Sequence, residues 1–391
     1  MSKTLGNEPT TLNIGLLGYK FMGKAHANAY QRIPLFFEPP YKIGLKALCG
    51  RDEAGVCAAA ATFGFEGIET DWRRLVTRED IDVIDITAPS NFHHAPAIEA
   101  ARNKKHIFCE KPLALTTPMA EEMLAAAVEN DVKHQIGFNY RFAPAVLLAK
   151  QLIDSGQLGQ IYHFRGAYLQ DFIVDPAFPL VWRLDKDVAG SGAHGDLGAH
   201  VIDLARFLVG EFSTVIGMSK TFIKSRPIVE QMTGLSATAQ QGAQMGEVTV
   251  DDATAFLAQF ENGALGTFEA TRFANGHDND LHFEINGALG SVRFHLERIN
   301  ELEYFDAREP RATRGYRTLQ VTHDVHPYAA NWWPPGHVIG YEHTFVHELY
   351  EFLQNIALDT KNNPDFYDGV MCNKVLDAVE QSIARKEWAA V

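Results

Sequence analysis

The first 140 residues alternate short aliphatic runs with helix-length amphipathic segments, and that alternation fixes what this part of the chain can become. Residues 12–18, LNIGLLG, form a β-branched and aliphatic run ending in Gly18, the pattern of a strand buried on both faces. The segment YKFMGKAHANAYQRI follows at once, with helical spacing beyond Gly23. A second strand, IGLKALC, ends at Cys49, and an alanine-rich helix runs on through Phe63. The strand IDVIDIT (81–87), a helix over 92–103, the strand HIFCE (106–110), a helix over 118–130 and the strand HQIGFNY complete the series. Strands joined by helical crossovers of one hand give a doubly wound parallel sheet of the Rossmann kind, so the fold class is α/β.

The pattern changes after about residue 145. Alternating runs flank Asn262-Gly263 and Asn286-Gly287, and Asn-Gly between such runs marks an antiparallel turn in which both residues take positive φ. Further strands are expected near 161–169, 214–223 and 317–322, and helices near 144–155, 197–209, 340–358 and 368–386. The second half therefore reads as an α+β domain on a large, mostly antiparallel open sheet. The stretch 225–247, rich in Ser, Thr, Gln and Gly, reads as a long loop. A chain of 391 residues exceeds one ordinary core, and the boundary falls between 1–143 and 144–391.

With 46% hydrophobic and 21% charged residues the composition is that of a globular protein, and a net charge of -14 opposes binding to nucleic acid or an anionic membrane. No run approaches the roughly 20 apolar residues of a membrane span, and the polar stretch Met1–Leu12 lacks the apolar core of a signal peptide. Cys49, Cys57, Cys109 and Cys372 show no metal-ligand spacing, and three lie in apolar segments, as free thiols of a cytoplasmic protein do.

A glycine turn between the first strand and first helix is where a dinucleotide pyrophosphate sits on a helix N-terminus. Here the turn is Gly18-Tyr19-Lys20-Phe21-Met22-Gly23: the outer glycines of the fingerprint are present and Lys20 replaces the middle one. The Lys20 ammonium either meets a phosphate or points outwards. At the end of the second strand, where NAD enzymes carry a carboxylate for the ribose, stand Gly50, Arg51 and Asp52. The guanidinium suits a 2′-phosphate and inclines the reading to NADP; in the alternative Arg51 stacks on the adenine or faces solvent, and Asp52 takes the ribose.

HIFCE runs into Glu110-Lys111-Pro112, which puts a lysine at the carboxyl end of a parallel strand, the ligand edge of such a sheet. In the second half GSGAHGDLGAHVIDLARFLVG carries Asp196 and His200, four apart and so on one face at a helix start. Taken alone, Asp196 could be a helix cap and His200 a core histidine.

Together GYKFMGKAH, AP–SNFHH, CEKPLAL, Trp182-Arg183 and GDLGAHVIDL resemble the glucose-fructose oxidoreductase / inositol dehydrogenase (Gfo/Idh/MocA) family, over essentially the whole chain. Within it the likeness is greatest to the levoglucosan- and inositol-type dehydrogenases, through FNYRFAPAVLLAK, FRGAYLQDF and SGAHGDLGAHVIDLARFLVGEFS. The resemblance implies NAD- or NADP-dependent oxidation of a secondary hydroxyl of a sugar, anhydrosugar or inositol, with Lys111, Asp196 and His200 catalytic. It implies cofactor contacts from Gly18, Lys20, Phe21, Met22, Gly23, Arg51, Thr87, Pro89, His93, Glu110, Lys111, Trp182 and Arg183. It also implies a homodimer or homotetramer formed through the second sheet. Lys20 and Gly50 depart from the family pattern and leave the cofactor's identity open.

Hydride loss from an alcohol needs a base within about 3 Å of the hydroxyl, and an imidazole, with its ordinary pKa near 6.5, suits His200 to that part. Lys111 can donate to the same oxygen, and Asp196 is expected to orient both substrate and histidine. Tyr140, Arg141, Tyr168, Gln170, Asp171, Trp182, Tyr341 and His343 are the expected substrate contacts. No cluster of basic residues marks a phosphate, which favours a neutral substrate. Three rival readings remain: an NAD-dependent glycosidase using transient oxidation, a regulator that only binds the cofactor, and a metal enzyme built on His343 and His347 with Glu342, Glu348, His323, His326 and His337. The last lacks an HExxH pattern or a fixed third ligand, so no metal is expected at the reacting carbon.

Overall fold

A computed structural model describes residues 10–228 and 244–391. The expected loop 225–247 lies mostly outside them, and its described ends pair as a short antiparallel ribbon, β9 (Ser225–Pro227) with β10 (Met245–Glu247).

The first half is a parallel sheet of β1 (Thr11–Leu17), β2 (Lys42–Cys49), β3 (Gly67–Glu69), β4 (Val83–Ile86), β5 (His106–Glu110) and β6 (His134–Gly137). Its order is β3-β2-β1-β4-β5-β6, so the chain reverses direction across the sheet between β1 and β4. The crossovers are α1 (Phe21–Phe36), α2 (Glu53–Phe63), α3 (Trp72–Thr77), α4 (His94–Arg102) and α5 (Thr117–Glu129). β4 and β5 are almost wholly buried, as the continuous apolar runs required. β6 is shorter than the expected HQIGFNY, because Asn139–Phe142 turn into a 3₁₀ segment.

The second half begins with α6 (Pro144–Asp154) and β7 (Ile161–Leu169) and continues with α7 (Lys186–Ala189), α8 (Ala199–Leu208) and β8 (Phe212–Lys220). Then come β11 (Ala253–Phe260), β12 (Leu265–Thr271), β13 (Asp280–Gly287), β14 (Gly290–His295), β15 (Glu301–Asp306) and β16 (Arg317–Gln320), followed by α9 (Tyr341–Leu358), α10 (Phe366–Arg385) and β17 (Ala389–Ala390). Among the described residues these strands form one nine-stranded sheet, β16-β15-β14-β13-β7-β12-β11-β8-β17, in which only the β7–β12 pair is parallel. One face is packed and the other open. Phe256, Phe268, Phe164 and Phe283 interlock beneath it, with Phe256 and Phe268 stacked at 4.4 Å, while the residues between them in sequence point outwards.

Both Asn-Gly turns differ from expectation. At 262–263 only Gly263 has positive φ (86°), in a three-residue loop whose Asn262 side chain donates to Val209 O. At 286–287 the strand runs through Asn286, which faces Ser291, and the reversal comes at Ala288-Leu289. A Cβ on Gly287 would lie 2.2 Å from Leu158 O, so this glycine serves close backbone packing rather than a positive φ.

The two C-terminal helices return to the parallel sheet. α9 puts Phe345, Val346, Leu349, Phe352 and Leu353 into one core with Ile14, Tyr30, Ile33, Phe37 and Phe108, and α10 packs against α5.

Candidate active site

The glycine turn after β1 is held by contacts that admit no side chain. Gly18 has φ 110°, and a Cβ there would lie 2.7 Å from Thr87 Oγ1; on Gly23 it would lie 2.1 Å from Gly18 O. Thr87, at the end of β4, donates its hydroxyl to Leu17 O and Gly18 O. Lys20 has φ -81°, which explains why a non-glycine residue is tolerated at the motif's middle position. Among the described residues no side chain caps α1, which leaves its first amides to meet an anionic group; Phe21 is exposed and Met22 half-buried. Arg51 lies over the Phe92 ring at 5.3 Å, and the Asp52 carboxylate accepts a 3.3 Å hydrogen bond from Tyr19. Pro89 opens the short turn Ser90–Phe92, beyond which His93 is buried with its ring nitrogens 2.9 Å from Pro112 O and from Ala88 O. Burial, opposed by those carbonyls, holds the His93 pKa low. A dinucleotide fits this cradle: two obligatory glycines and an uncapped helix start lie at the carboxyl edge, where the strand order reverses.

Below it sits a charge cluster that the sequence did not announce. His26 of α1 is fully buried between Asp85 of β4 (2.9 Å) and Glu110 of β5 (3.0 Å). Burial alone would lower its pKa, but the two carboxylates outweigh it and raise it to about 10. Tyr30 adds its hydroxyl to Asp85, and the second oxygen of Glu110 accepts the Lys111 amide. Glu110, expected beside the cofactor, is thus bound into this buried network, 4% exposed. Glu348 of α9 lies nearby with neither oxygen hydrogen-bonded; burial, reinforced by Glu110, pushes its carboxyl well above the usual range.

Lys111 reaches across to the second half, where its ammonium donates to Asp196 Oδ1 (2.8 Å) and to Asp196 O (2.9 Å). Asp196 lies in a π-helical turn, His194–Gly198, leading directly into α8. Such turns widen the helix locally and recur at functional sites. Asp251 anchors the turn by accepting from the amides of Gly192 and His194, and a Cβ on Gly192 would lie 1.7 Å from Asp251 O. The other carboxylate oxygen of Asp196 accepts from Arg272 at 2.7 Å, with Arg183 3.9 Å away. Burial opposes ionisation of Asp196, yet Lys111, Arg272 and Arg183 together hold it well below the usual carboxylate range. Asp196 was expected to orient His200, but among the described residues no hydrogen bond joins them; the carboxylate is engaged by three cations and positions Lys111 instead.

His200 lies on α8 with its ring 4.7 Å from Tyr140, 5.8 Å from Tyr168 and 6.4 Å from Phe138. Burial, with the Lys111 charge, depresses its pKa well below 6.5 despite Asp196, so the imidazole stays neutral. Tyr140 and Tyr168 share a 2.8 Å hydrogen bond, and Asn279 accepts from both Tyr168 and Gln170 at 2.7 Å. Burial lifts the Tyr140 phenol to about 12, leaving neutral hydroxyls on this wall. Tyr341 closes it, 6.3 Å from Tyr140.

Several expected contacts lie elsewhere. Arg141 is 3% exposed, and its guanidinium is used up by Asp203, Asp368 and Asn363, so it joins α8 to α10 rather than facing a substrate. Asp171 accepts the Gly276 amide and fastens the loop before β13. His343 accepts the Gly340 amide at the start of α9 and packs on Trp332. Trp182 is exposed beneath the Arg183 guanidinium, 4.4 Å from the ring, which brings Arg183 to Asp196. The His343/His347 pair makes no metal site: His347 is fully buried, with one ring nitrogen taking the Trp332 N–H and the other 2.9 Å from Phe142 O. Sequence reasoning missed Arg272, Asp251 and Asn279. Arg272 had one visible cue, an arginine closing an otherwise alternating strand.

A glycine turn of the Rossmann kind, with Lys111 at the carboxyl edge of the same sheet paired to Asp196 beside His200, defines a nucleotide-dependent oxidoreductase class. Residues 12–138 match the family described as oxidoreductase family, NAD-binding Rossmann fold, and residues 146–293 match the GFO/IDH/MocA C-terminal domain. The chain is 43% identical over 383 residues to levoglucosan dehydrogenase of Pseudarthrobacter phenanthrenivorans, spanning 97% of this chain and 98% of that one. An oxidoreductase domain protein from Kribbella flavida superposes with TM-score 0.93 at 47% identity (98% and 99% covered). A levoglucosan dehydrogenase in complex with NADH and levoglucosan superposes with TM-score 0.92 at 42% identity, again over 98% and 99%. The chain belongs to the Gfo/Idh/MocA oxidoreductase family.

Proposed function

We propose that this chain is an NAD-dependent dehydrogenase that oxidises a secondary hydroxyl of a neutral sugar, anhydrosugar or inositol to a ketone. The observation that carries the reading is the Lys111–Asp196 pair beside a neutral, buried His200 at the carboxyl edge of the parallel sheet. When bound, the nicotinamide supplies the hydride acceptor. Gly18, Gly23 and the first amides of α1 would hold the pyrophosphate, with Thr87, Pro89 and His93 shaping the pocket beside them. Lys111, steadied by Asp196, donates to the substrate oxygen and stabilises charge developing there. His200 takes the hydroxyl proton. Tyr140, Tyr168 and Gln170 offer hydroxyl and amide groups to a polyol, and the cations of the site, Lys111, Arg183 and Arg272, are turned on Asp196, which favours a neutral substrate over a phosphate.

For the carrier, Arg51 stacked on Phe92 and Asp52 beside Tyr19 support NAD over the NADP that Gly50-Arg51 suggested; the relative solved with NADH points the same way. An anhydrosugar such as levoglucosan is the first substrate to test, given the relative named for it. Assembly through the open sheet face and a cytoplasmic setting belong to the same proposal; among the described residues no helix is long and apolar enough to cross a membrane.

The test is a panel of anhydrosugars, free sugars and inositols with NAD and with NADP, followed by the absorbance of reduced nicotinamide. Reduced NAD should accumulate with at least one neutral polyol. Cleavage of a glycoside without accumulation, or no turnover of any polyol, overturns the reading.

A further inference from the structure

On the far side of the large sheet from the reacting residues, three imidazoles converge on one carboxylate. Asp280 opens β13 and is 7% exposed; His282 lies two residues on, and His295 faces His282 from β14. The Nδ1 atoms of His277 and His282 lie 2.9 and 3.1 Å from Asp280 Oδ2, and that of His295 lies 3.7 Å from Oδ1. Donor atoms of Asp280, His282 and His295 all fall within 4.8 Å of one another.

Hydrogen bonding alone does not account for the cluster. Asp280 Oδ1 is buried without a hydrogen-bond partner. Among the described residues no lysine or arginine pairs with the carboxylate; its charge is met only by histidines, which carry a full charge only when protonated. A buried carboxylate with one unpartnered oxygen and three imidazoles within reach of its two oxygens is a donor set for a cation.

We propose that Asp280, His282 and His295 form a binding site for a divalent transition-metal ion of the zinc class. Metal–ligand distances of about 2.0–2.1 Å in a tetrahedron put adjacent donors about 3.3 Å apart. Among the proposed ligands His282 lies 3.1 Å from one carboxylate oxygen and His295 3.7 Å from the other, and all three donors fall within 4.8 Å, so an ion draws the two imidazoles inward onto a single carboxylate. His277 or a water completes the fourth position. His282 and His295 line a depression of about 490 Å³ on the open face of the sheet, through which an ion can reach them in a single chain before assembly covers that face. An ion there ties β13 to β14, next to Asn279, whose side chain holds Tyr168 and Gln170 on the opposite face.

The test uses the full-length protein, stripped with chelator and titrated with Co²⁺ alone as a spectroscopic probe. One equivalent per chain should give the visible absorption of a four-coordinate site, and His282→Ala or His295→Ala should each weaken binding at least tenfold. Zn²⁺ should displace the Co²⁺ and raise Tm in the parent protein but in neither variant. His343→Ala, outside the cluster, should bind as the parent does, and unchanged NADH binding by the variants confirms that they fold. Absence of stoichiometric Co²⁺ binding, or binding of equal strength in the His282 and His295 variants, overturns the proposal.

Discussion

Replacing His26 with leucine removes the cation that bridges Asp85 and Glu110 and leaves both carboxylates buried. Two routes give the size of the effect. The rise of the His26 pKa from 6.5 to about 10 corresponds to about 5 kcal/mol at about 1.4 kcal/mol per pH unit. Breaking a buried pair by removing one partner costs about 3–5 kcal/mol in general. Against a total stability of about 5–15 kcal/mol this is a large fraction, and at roughly 2–4 °C per kcal/mol it lowers Tm by about 6–20 °C. The pH dependence has a definite sign. A pKa raised in the folded state contributes stability that is complete below about 6.5 and is lost as pH rises through about 10. Urea unfolding of the parent and His26→Leu proteins should therefore show a gap that is widest near pH 6.5 and narrows steadily towards pH 10. If the leucine variant does not accumulate, His26→Gln, which keeps an amide donor, should show a smaller gap with the same trend. A gap below about 1 kcal/mol at pH 6.5, or one that widens with pH, would refute the reasoning.

Lys111→Ala should lower kcat by about 10²–10⁴-fold while NADH fluorescence titration shows cofactor binding within about twofold of the parent; near-parent turnover removes Lys111 from the mechanism. Because His200 is held neutral well below 6.5, kcat/KM should lack an acid limb centred near pH 6.5, and a bell with its lower arm there would count against His200 as the base. Arg272→Leu removes one cation from Asp196 and should reduce kcat by at least tenfold with Tm lowered only modestly, read from steady-state kinetics beside thermal unfolding. Arg141→Leu strands Asp203 and Asp368 and should cost about 3–5 kcal/mol in urea unfolding without a selective rise in KM; a raised KM at unchanged stability would return Arg141 to the substrate site.

The parallel sheet was legible in the sequence because strands buried on both faces write themselves as continuous apolar runs, as at VIDI and HIFCE. The nine-stranded sheet was legible in kind but not in order. Register there depends on partners far apart in the chain, and the parallel β7–β12 contact leaves no local mark. The assignment of Lys111, Asp196 and His200 rests on the family resemblance, since in isolation Asp196 reads equally as a helix cap and His200 as a core histidine. Arg272 and Asn279 could not be picked out, since each acts through a neighbour that only the fold supplies. Arg141 misled for the same reason: a charged residue beside a tyrosine looks the same in sequence whether it meets a ligand or a buried aspartate.

The return of α9 onto the first sheet has a consequence for how the molecule is made and remade. Tyr30, Phe37 and Phe108 wait for Phe345, Leu349 and Phe352, residues synthesised only after the whole antiparallel sheet has been translated. A chimera that exchanges cofactor halves between relatives at the turn before α6 would leave those aromatic surfaces mismatched; the graft must carry the far helix with it.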